Sequence, residues 1–178
     1  DLNVSNRRRR AAVRASMIHF IDSHAHLADP AFDADRGLVV ERARSAGALA
    51  VVCIGESLAA AERAADLAAE HRGFIYATAG VHPHDAASFD PRTDLDAIRE
   101  LVSRGAVAIG ECGLDYHYDN SPRELQRRAF ASQLALAREL LCPIVVHTRD
   151  AEADTVAMVA EAELPAFRTL LGIPADVA

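Results

Sequence analysis

The sequence predicts an α/β fold of the TIM type, a (β/α)8 barrel of which about five βα units lie within this chain. Three observations support this prediction. Short apolar segments alternate with amphipathic segments of helix length, the apolar segments are almost free of charge, and one unit follows another every 30 residues or so. A complete barrel typically has ~250 residues. The 178 residues therefore hold only part of one.

The predicted strands are apolar along nearly their whole length, which is typical of strands buried on both faces of a parallel sheet. In chain order they are residues 18–22, 50–54, 75–79, 107–109 and 144–147. The predicted helices are residues 38–46, 57–70, 95–103, 124–141 and 150–163. Ser57 is a suitable start for the second helix, and Gly73 a suitable stop. A five-stranded doubly wound sheet is the alternative, but no Gly-rich dinucleotide loop follows the first strand.

Composition indicates a soluble globular domain in the reducing cytoplasm. Hydrophobic residues make up 51% of the chain and charged residues 25%, which is enough apolar material for a packed core. No apolar stretch approaches the roughly 18 residues that cross a bilayer, so we expect no membrane association. The three cysteines lie far apart in apolar segments, which argues against a disulfide framework.

Residues 1–16 differ in composition from the rest, because they contain five arginines and no hydrophobic period. We expect them to form a disordered basic tail before a single domain of residues 17–178. A basic arm that holds DNA is the alternative. No unbroken apolar core follows the arginines, so a secretory signal is not expected.

Histidine or glutamate follows four of the five predicted strands. His24 and His26 come at the end of the first strand, and their i, i+2 spacing directs both imidazoles to one face, where they can bind one cation. Glu111 follows the fourth strand and His147 ends the fifth. Barrel enzymes form their active sites at the carboxyl ends of the strands. The sequence therefore predicts that these four residues converge there as ligands of a divalent metal used for hydrolysis.

Each of these residues also has a simpler interpretation when it is taken alone. Glu111 could cap a helix or form a salt bridge, and a single histidine on an apolar face is usually a satisfied core residue. His82 and His84 follow the third strand and could be exposed residues of a turn at Pro83. The joint placement at one end of the sheet favours the metal site.

Four strings carry a resemblance to a known family, in this order: DSHAHL, GVHPHD, GECGLDYHYD and PIVVHTRDA. Residues 17–163 resemble the TatD family within the amidohydrolase superfamily. The resemblance implies a (β/α)8 barrel that binds one or two divalent metal ions. It also implies hydrolysis of phosphodiester bonds, as a 3′-to-5′ exonuclease with DNA 3′ ends as its substrate.

By this resemblance His24 and His26 bind the first metal, Glu111 bridges toward the second, and His147 completes part of the second site. A carboxylate bridge allows one cation to activate water while the other stabilises charge on a phosphate oxygen. Magnesium, manganese and zinc all suit such ligands. Asp22 either orients a ligand histidine or is solvated at the rim.

The remaining candidate residues concern the substrate. We expect His82 or His84 to act catalytically by contacting the phosphate or the leaving oxygen, and Arg149 to bind phosphate. Asp115 and Tyr116 are expected to line the substrate pocket.

A base could stack on Tyr116 or on His117. Packing and loop capping are the alternative roles for these residues after Glu111.

The sequence departs from the family pattern after His147. The family continues with a further ligand histidine, in a string similar to His-Cys-Phe-Ser-Gly, and later with a metal-binding aspartate. No histidine follows His147 here, and Asp176 lies in a different context from the family aspartate. We therefore expect an incomplete site with much reduced activity, in a fragment, a frame-shifted product or a shortened paralogue.

Two alternatives keep the fold and change the function. The same metal chemistry could act on esters or amides, as in other amidohydrolases or aminoacyl-tRNA deacylases. A half-barrel without activity could serve as a binding module. The net charge of −7 argues against nucleic-acid binding through a broad basic surface, but a bound metal pair can supply positive charge locally. No feature of the sequence identifies a protein partner.

Overall fold

The structure, a computed structural model, describes residues 18–164, so the predicted tail of residues 1–16 lies outside the described residues. Five parallel strands form one sheet in the order β1-β2-β3-β4-β5. The strands are β1 (Phe20–Ala25), β2 (Ala48–Cys53), β3 (Ile75–Ala79), β4 (Ala108–Asp115) and β5 (Ile144–Arg149). Each strand pairs with its neighbour in sequence, as in a barrel of the TIM type. A doubly wound sheet would reverse its strand order at a switch point, so that alternative is wrong.

A helix follows each strand. The helices are α1 (Arg36–Ala46), α2 (Leu58–Glu70), α3 (Asp94–Ser103), α4 (Arg123–Leu140) and α5 (Glu152–Glu161). The predicted start of α2 is correct, because the Ser57 side chain accepts a hydrogen bond from the backbone N–H of Ala60 at 3.2 Å. Among the described residues, no helix combines the length and the apolar character needed to cross a bilayer.

Three strands extend further toward their carboxyl ends than predicted. β1 includes His24, β4 runs through Glu111 to Asp115, and β5 continues past His147 to Arg149. Residues 112–115 of β4 pair with residues 146–149 of β5. Glycine and glutamate are depleted in strands, so the sequence around Glu111 gives a weak strand signal. Pairing with β5 outweighs that local preference, and Glu111 and His147 project from strands rather than from loops.

The prediction that every strand is buried on both faces is correct for β4 and wrong for β1 and β5. All eight residues of β4 are buried. Ile21 in β1 is 62% exposed and Val146 in β5 is 36% exposed. Within residues 18–164, β1 and β5 each pair with a single strand, whereas the three strands between them have two neighbours.

The core lies between the sheet and its outer helices. Ile109 of β4 packs with Ile98 and Leu101 of α3, and Leu114 of β4 packs with Phe130 of α4. The three cysteines are buried and carry free thiols, as their apolar surroundings in the sequence predict. This packing holds β3 and β4 against the helices and so fixes the strands from which the site residues project.

The strands β4 and β5 approach each other closely at Gly113. Its φ of 141° and the space around it both require glycine, because an added Cβ would lie 2.2 Å from the carbonyl oxygen of His147. The glycine therefore sets the spacing between the strand that carries Glu111 and the strand that carries His147.

Candidate metal centre

β1 delivers two exposed imidazoles to the carboxyl end of the sheet. The side chains of His24 and His26 are 41% and 43% exposed, and their ring centroids lie 5.1 Å apart. The backbone N–H of His24 donates to Oδ1 of Asp22 at 3.1 Å, so Asp22 holds the backbone of the strand and not an imidazole. Nδ1 of His26 lies 3.2 Å from Oε2 of Glu56.

Glu111 places one carboxylate between two sets of histidines. Its side chain is 9% exposed, and Oε2 lies 3.4 Å from Nε2 of His24 and 3.9 Å from Nε2 of His26. The other oxygen, Oε1, lies 3.3 Å from Nδ1 of His147. The predicted ligands His24, His26, Glu111 and His147 therefore lie together at one end of the sheet.

Two groups of residues in the described part of the chain have the spacing of metal ligands. His24, His26 and Glu111 form one group, and His82, Glu111 and His147 form the other. Within each group the ligand atoms lie within 4.8 Å of one another. Because Glu111 belongs to both groups, its carboxylate could bridge two cations, and imidazole with carboxylate is a donor set that suits divalent metals.

His82 belongs to the second group, although the sequence predicted a catalytic role for it and not a place among the metal ligands. It comes from the turn after β3, where its Nδ1 accepts a hydrogen bond from the backbone N–H of His84 at 3.2 Å. A neutral imidazole that accepts at Nδ1 carries its proton on Nε2. His82 in this state is a hydrogen-bond donor, and it would bind a metal only by giving up the contact with His84.

Asp115 lies behind the histidines and joins two of them. Its side chain is fully buried, and Oδ2 lies 2.9 Å from Nε2 of His84 and 3.1 Å from Nε2 of His147. An ionised carboxylate only accepts hydrogen bonds, so both imidazoles donate to it. Nδ1 of His147 thereby stays directed toward Glu111, as expected for a ligand histidine that is oriented by a carboxylate.

The electrostatics of the site favour charged carboxylates. Burial alone would raise the pKa of Glu111, but the hydrogen bond with His147 and the nearby imidazoles of His24 and His82 outweigh it and lower the pKa. Burial likewise opposes ionisation of Asp115, yet its pKa falls far below the usual range. The backbone N–H of Tyr118 and the imidazoles of His84 and His147 stabilise its charge. Both carboxylates are therefore negative at neutral pH.

The pKa values of His147 and His82 are shifted in opposite directions by their surroundings. The hydrogen bond with Glu111, followed by that with Asp115, raises the pKa of His147 despite partial burial. Burial, together with the neighbouring imidazoles of His147 and His84, lowers the pKa of His82 from 6.5 to about 4. His82 is therefore neutral at neutral pH.

The site residues open onto a cavity of about 470 Å³. Its lining residues are His26, Glu56, His82, His84, Asp85, Glu111 and His147. Two of these lining residues, Glu56 and Asp85, are not among those predicted from the sequence. Glu56 follows β2 as the predicted ligands follow their strands, but it stands directly before Ser57, where the sequence indicates the start of a helix. Its contact with His26 adds a carboxylate to the group at β1.

The three predicted substrate residues do not line this cavity. Asp115 is fully buried behind the histidines, so it cannot contact a substrate directly. The ring of Tyr116 lies under the guanidinium of Arg123 at 4.4 Å, and its hydroxyl donates to Asp154 at 2.7 Å. Tyr116 therefore faces α4 and α5. The guanidinium of Arg149 lies over another ring, that of Tyr118, at 4.6 Å from the centroid.

The family model and the related sequences that match this chain point to the same family. The model of the family described as "TatD related DNase" matches residues 21–171. The chain is 42% identical over 141 residues to an uncharacterized metal-dependent hydrolase, YabD, of Bacillus subtilis, covering 79% of this chain and 54% of that protein. It is 46% identical over 127 residues to the 3′-5′ ssDNA/RNA exonuclease TatD of a Rahnella species, covering 71% of this chain and 48% of that protein.

Two solved structures of TatD-related proteins have the same fold as the described part of this chain. The crystal structure of YJJV, a TatD homolog from Escherichia coli, superposes with a TM-score of 0.75 at 28% identity, over 82% of this chain and 57% of that one. A TatD family hydrolase from Entamoeba histolytica gives a TM-score of 0.74 at 24% identity, covering 83% and 56%. The chain thus spans about half the length of the relatives it matches.

Proposed function

Because the chain belongs to the TatD family of metal-dependent hydrolases, we propose that it hydrolyses phosphodiester bonds in single-stranded nucleic acid and removes nucleotides from the 3′ end. Two relatives that are 46% and 42% identical to this chain are named 3′-5′ ssDNA/RNA exonucleases. DNA is the substrate that we test first.

The observation that carries this proposal is the position of Glu111. Its two carboxylate oxygens face different histidines, with Oε2 toward His24 and His26 and Oε1 toward His147. A carboxylate shared in this way is the arrangement by which hydrolases hold two divalent ions about 4 Å apart for displacement at phosphorus. The depressed pKa of Glu111 keeps it ionised, as a ligand must be.

We assign His24, His26 and Glu111 to one ion and Glu111 and His147 to another, with magnesium, manganese or zinc as candidates. Divalent ions held there supply Lewis-acid polarisation of the phosphate and a lowered pKa for water. Asp115 assists by accepting a hydrogen bond from the Nε2–H of His147, which leaves Nδ1 available as the ligand atom.

We assign a hydrogen-bonding role toward the phosphate to His82. Its low pKa makes it neutral, and the contact at Nδ1 places the proton on Nε2, so it can donate one hydrogen bond to a phosphate or leaving oxygen. His84 donates to Asp115 instead, which leaves it a positioning role beside the cavity.

The test is digestion of a single-stranded oligodeoxynucleotide, labelled at its 5′ end, by the full chain with magnesium or manganese. We expect products that shorten one nucleotide at a time from the 3′ end. Glu111→Gln removes the shared charge and should lower the rate at least about a hundredfold, because both ions lose a ligand.

Glu139→Gln is the matched control, since Glu139 is exposed and pairs with Arg99 on the outer helices. It should cleave at the wild-type rate. Equal cleavage by Glu111→Gln and wild type would contradict the proposal. Internal cuts without 3′ shortening would contradict the exonuclease assignment. An aminoacyl-ester substrate, run in parallel, tests the deacylase alternative, which predicts turnover of the ester and none of DNA.

A further inference from the structure

An exposed aromatic ring lies beside the cavity. Tyr118 follows β4 and is 52% exposed. Its ring meets the ring of His84, a cavity residue, edge to face at a centroid distance of 5.6 Å. On another side it meets the ring of His117 at 4.7 Å. Tyr118 therefore adjoins the cavity through His84 and is open to solvent.

A cation completes this surface. The guanidinium carbon of Arg149 lies 4.6 Å from the centroid of the Tyr118 ring, and Nη1 donates to the Tyr118 hydroxyl at 3.2 Å. Arg149 is the last residue of β5, and Tyr118 lies just after the neighbouring strand β4. Arg149 thus supports one side of the ring and places a positive charge there, in a protein whose net charge is −7.

The backbone under Tyr118 is fixed by the same carboxylate that orients the histidines. Oδ1 of Asp115 accepts the backbone N–H of His117 and that of Tyr118, each at 3.0 Å. Oδ2 of Asp115 contacts His84 and His147. The position of the ring is therefore coupled to the position of the ligand histidine, and little ordering is left for a bound substrate to impose.

From these contacts we propose that Tyr118 and Arg149 form a subsite for a nucleobase, on which a base of single-stranded nucleic acid stacks while its neighbouring phosphate lies at the metal centre. This inference rests on the proposed function and names the part of the substrate that is recognised there. Every base has a flat π surface, so an exposed aromatic ring with an adjacent arginine binds bases with little regard to sequence.

A second tyrosine serves as an internal comparison. Tyr116 also lies against an arginine, Arg123, at 4.4 Å, but its hydroxyl is bound to Asp154 and it faces the outer helices. The two Tyr–Arg pairs share their chemistry and differ in whether they adjoin the cavity. Only Tyr118 is expected to contact a base.

The experiment measures binding by fluorescence anisotropy, with two labelled single-stranded oligonucleotides that carry phosphorothioate linkages at the 3′ end to prevent cleavage. One has all its bases, and the other has abasic sugars at the last positions. The full chain, loaded with manganese, should prefer the first. Tyr118→Leu should bind it about tenfold more weakly and leave affinity for the abasic oligonucleotide unchanged. Tyr118→Phe should keep the preference, and Tyr116→Leu should match wild type.

Three results would overturn the subsite. They are a wild type without preference for bases, an unchanged preference in Tyr118→Leu, and an equal loss on both oligonucleotides, which would indicate a general structural effect. Because binding is measured without turnover, the outcome is separate from that of the proposed function. A base preference lost in Tyr118→Leu, in a protein that cleaves no DNA, would keep the subsite and reject the nuclease. Cleavage of DNA together with an unchanged base preference in Tyr118→Leu would keep the nuclease and reject the subsite.

Discussion

At the scale of single residues, Asp115 connects more of the site than any other side chain described above. One buried carboxylate accepts from two imidazoles and from two backbone N–H groups. Such partners of ligand histidines fix the tautomer and the direction of the ring. The value of Asp115 to the site lies in these contacts and not in contact with a substrate.

Replacing Asp115 with asparagine should weaken manganese binding about 10- to 100-fold, because the amide lacks the charge that holds the Nε2 proton of His147. Isothermal titration of the metal-free chain measures this affinity. Asp66→Asn, at an exposed aspartate 3.9 Å from Arg104, is the control and should bind as wild type does. An unchanged affinity in Asp115→Asn would show that His147 needs no such partner.

His82 should make the stability of the protein depend on pH. Its folded pKa of about 4 lies below the ordinary 6.5, so between these values the unfolded chain binds a proton that the folded chain does not. The free energy of unfolding should therefore fall as the pH drops from 6.5 toward 4, by an amount on the order of 1–3 kcal/mol from this residue.

His82→Gln removes this contribution, so its stability should fall less than that of wild type over the same range. Urea unfolding in the presence of a chelator, at about pH 7 and about pH 4.5, gives the comparison. Titrating groups away from the site are common to both proteins, so their contributions cancel. Parallel losses of stability in the two proteins would mean that His82 is protonated as easily in the folded state as in the unfolded state.

The convergence of the candidate ligands could be predicted from their positions after strands, whereas the orientation of the neighbouring side chains could not. His24, His26, Glu111 and His147 follow from a simple rule, that strand ends meet at one end of a barrel. Whether Tyr116 or a neighbour faces the cavity depends on the twist of the chain after β4, which no local pattern encodes.

At the scale of elements, β4 shows why the strand boundaries were harder to predict than the strands themselves. Its first two residues are apolar, but the rest of the strand contains two glycines and a glutamate, which are poor strand formers. The glycines are needed because β5 lies so close. A pattern-based prediction ends the strand at the point where close packing between strands becomes more important than side-chain preference.

Gly113→Ala should destabilise the fold by at least about 2 kcal/mol, since the new methyl group would meet the His147 carbonyl at 2.2 Å and the backbone is in a conformation that L residues rarely adopt. Urea unfolding measures the loss. Gly37→Ala is the matched control, because Gly37 lies in α1 with nothing within 4 Å of an added Cβ. It should be neutral or stabilising by up to about 1 kcal/mol. Equal midpoints for the two variants would contradict the close approach of β4 and β5.

At the scale of the whole molecule, the candidate ligands come from both edges of the described sheet, with His24 on β1 and His147 on β5. The spacing of apolar segments predicted this architecture, because about 30 residues per unit leave room for one strand and one helix. It could not predict the exposure of β1 and β5, since that depends on which elements cover them and not on their own composition.

A metal that binds across the sheet should stabilise the whole fold. With manganese at about 100 times its Kd, the free energy of unfolding should rise by roughly 2.7 kcal/mol, and the melting temperature with it. His24→Ala combined with His26→Ala should reduce both this shift and the metal retained after dialysis. His71→Ala, remote from the site at the end of α2, is the control and should behave as wild type does. Unchanged metal content in the double variant would remove His24 and His26 from the ligand set.

The pairing of each strand with its neighbour in sequence also keeps every strand contact local along the chain. Each pairing joins strands that are one βα unit apart, so none requires the closure of a long loop. Glu111 reaches His147 across the pairing of β4 with β5 alone, whereas its contacts with His24 and His26 also need β1, three strands away in the sheet. The contacts of Asp115 with His84 and His147 likewise join neighbouring βα units. The group of His82, Glu111 and His147 therefore depends on three consecutive strands, and the group of His24, His26 and Glu111 depends on four.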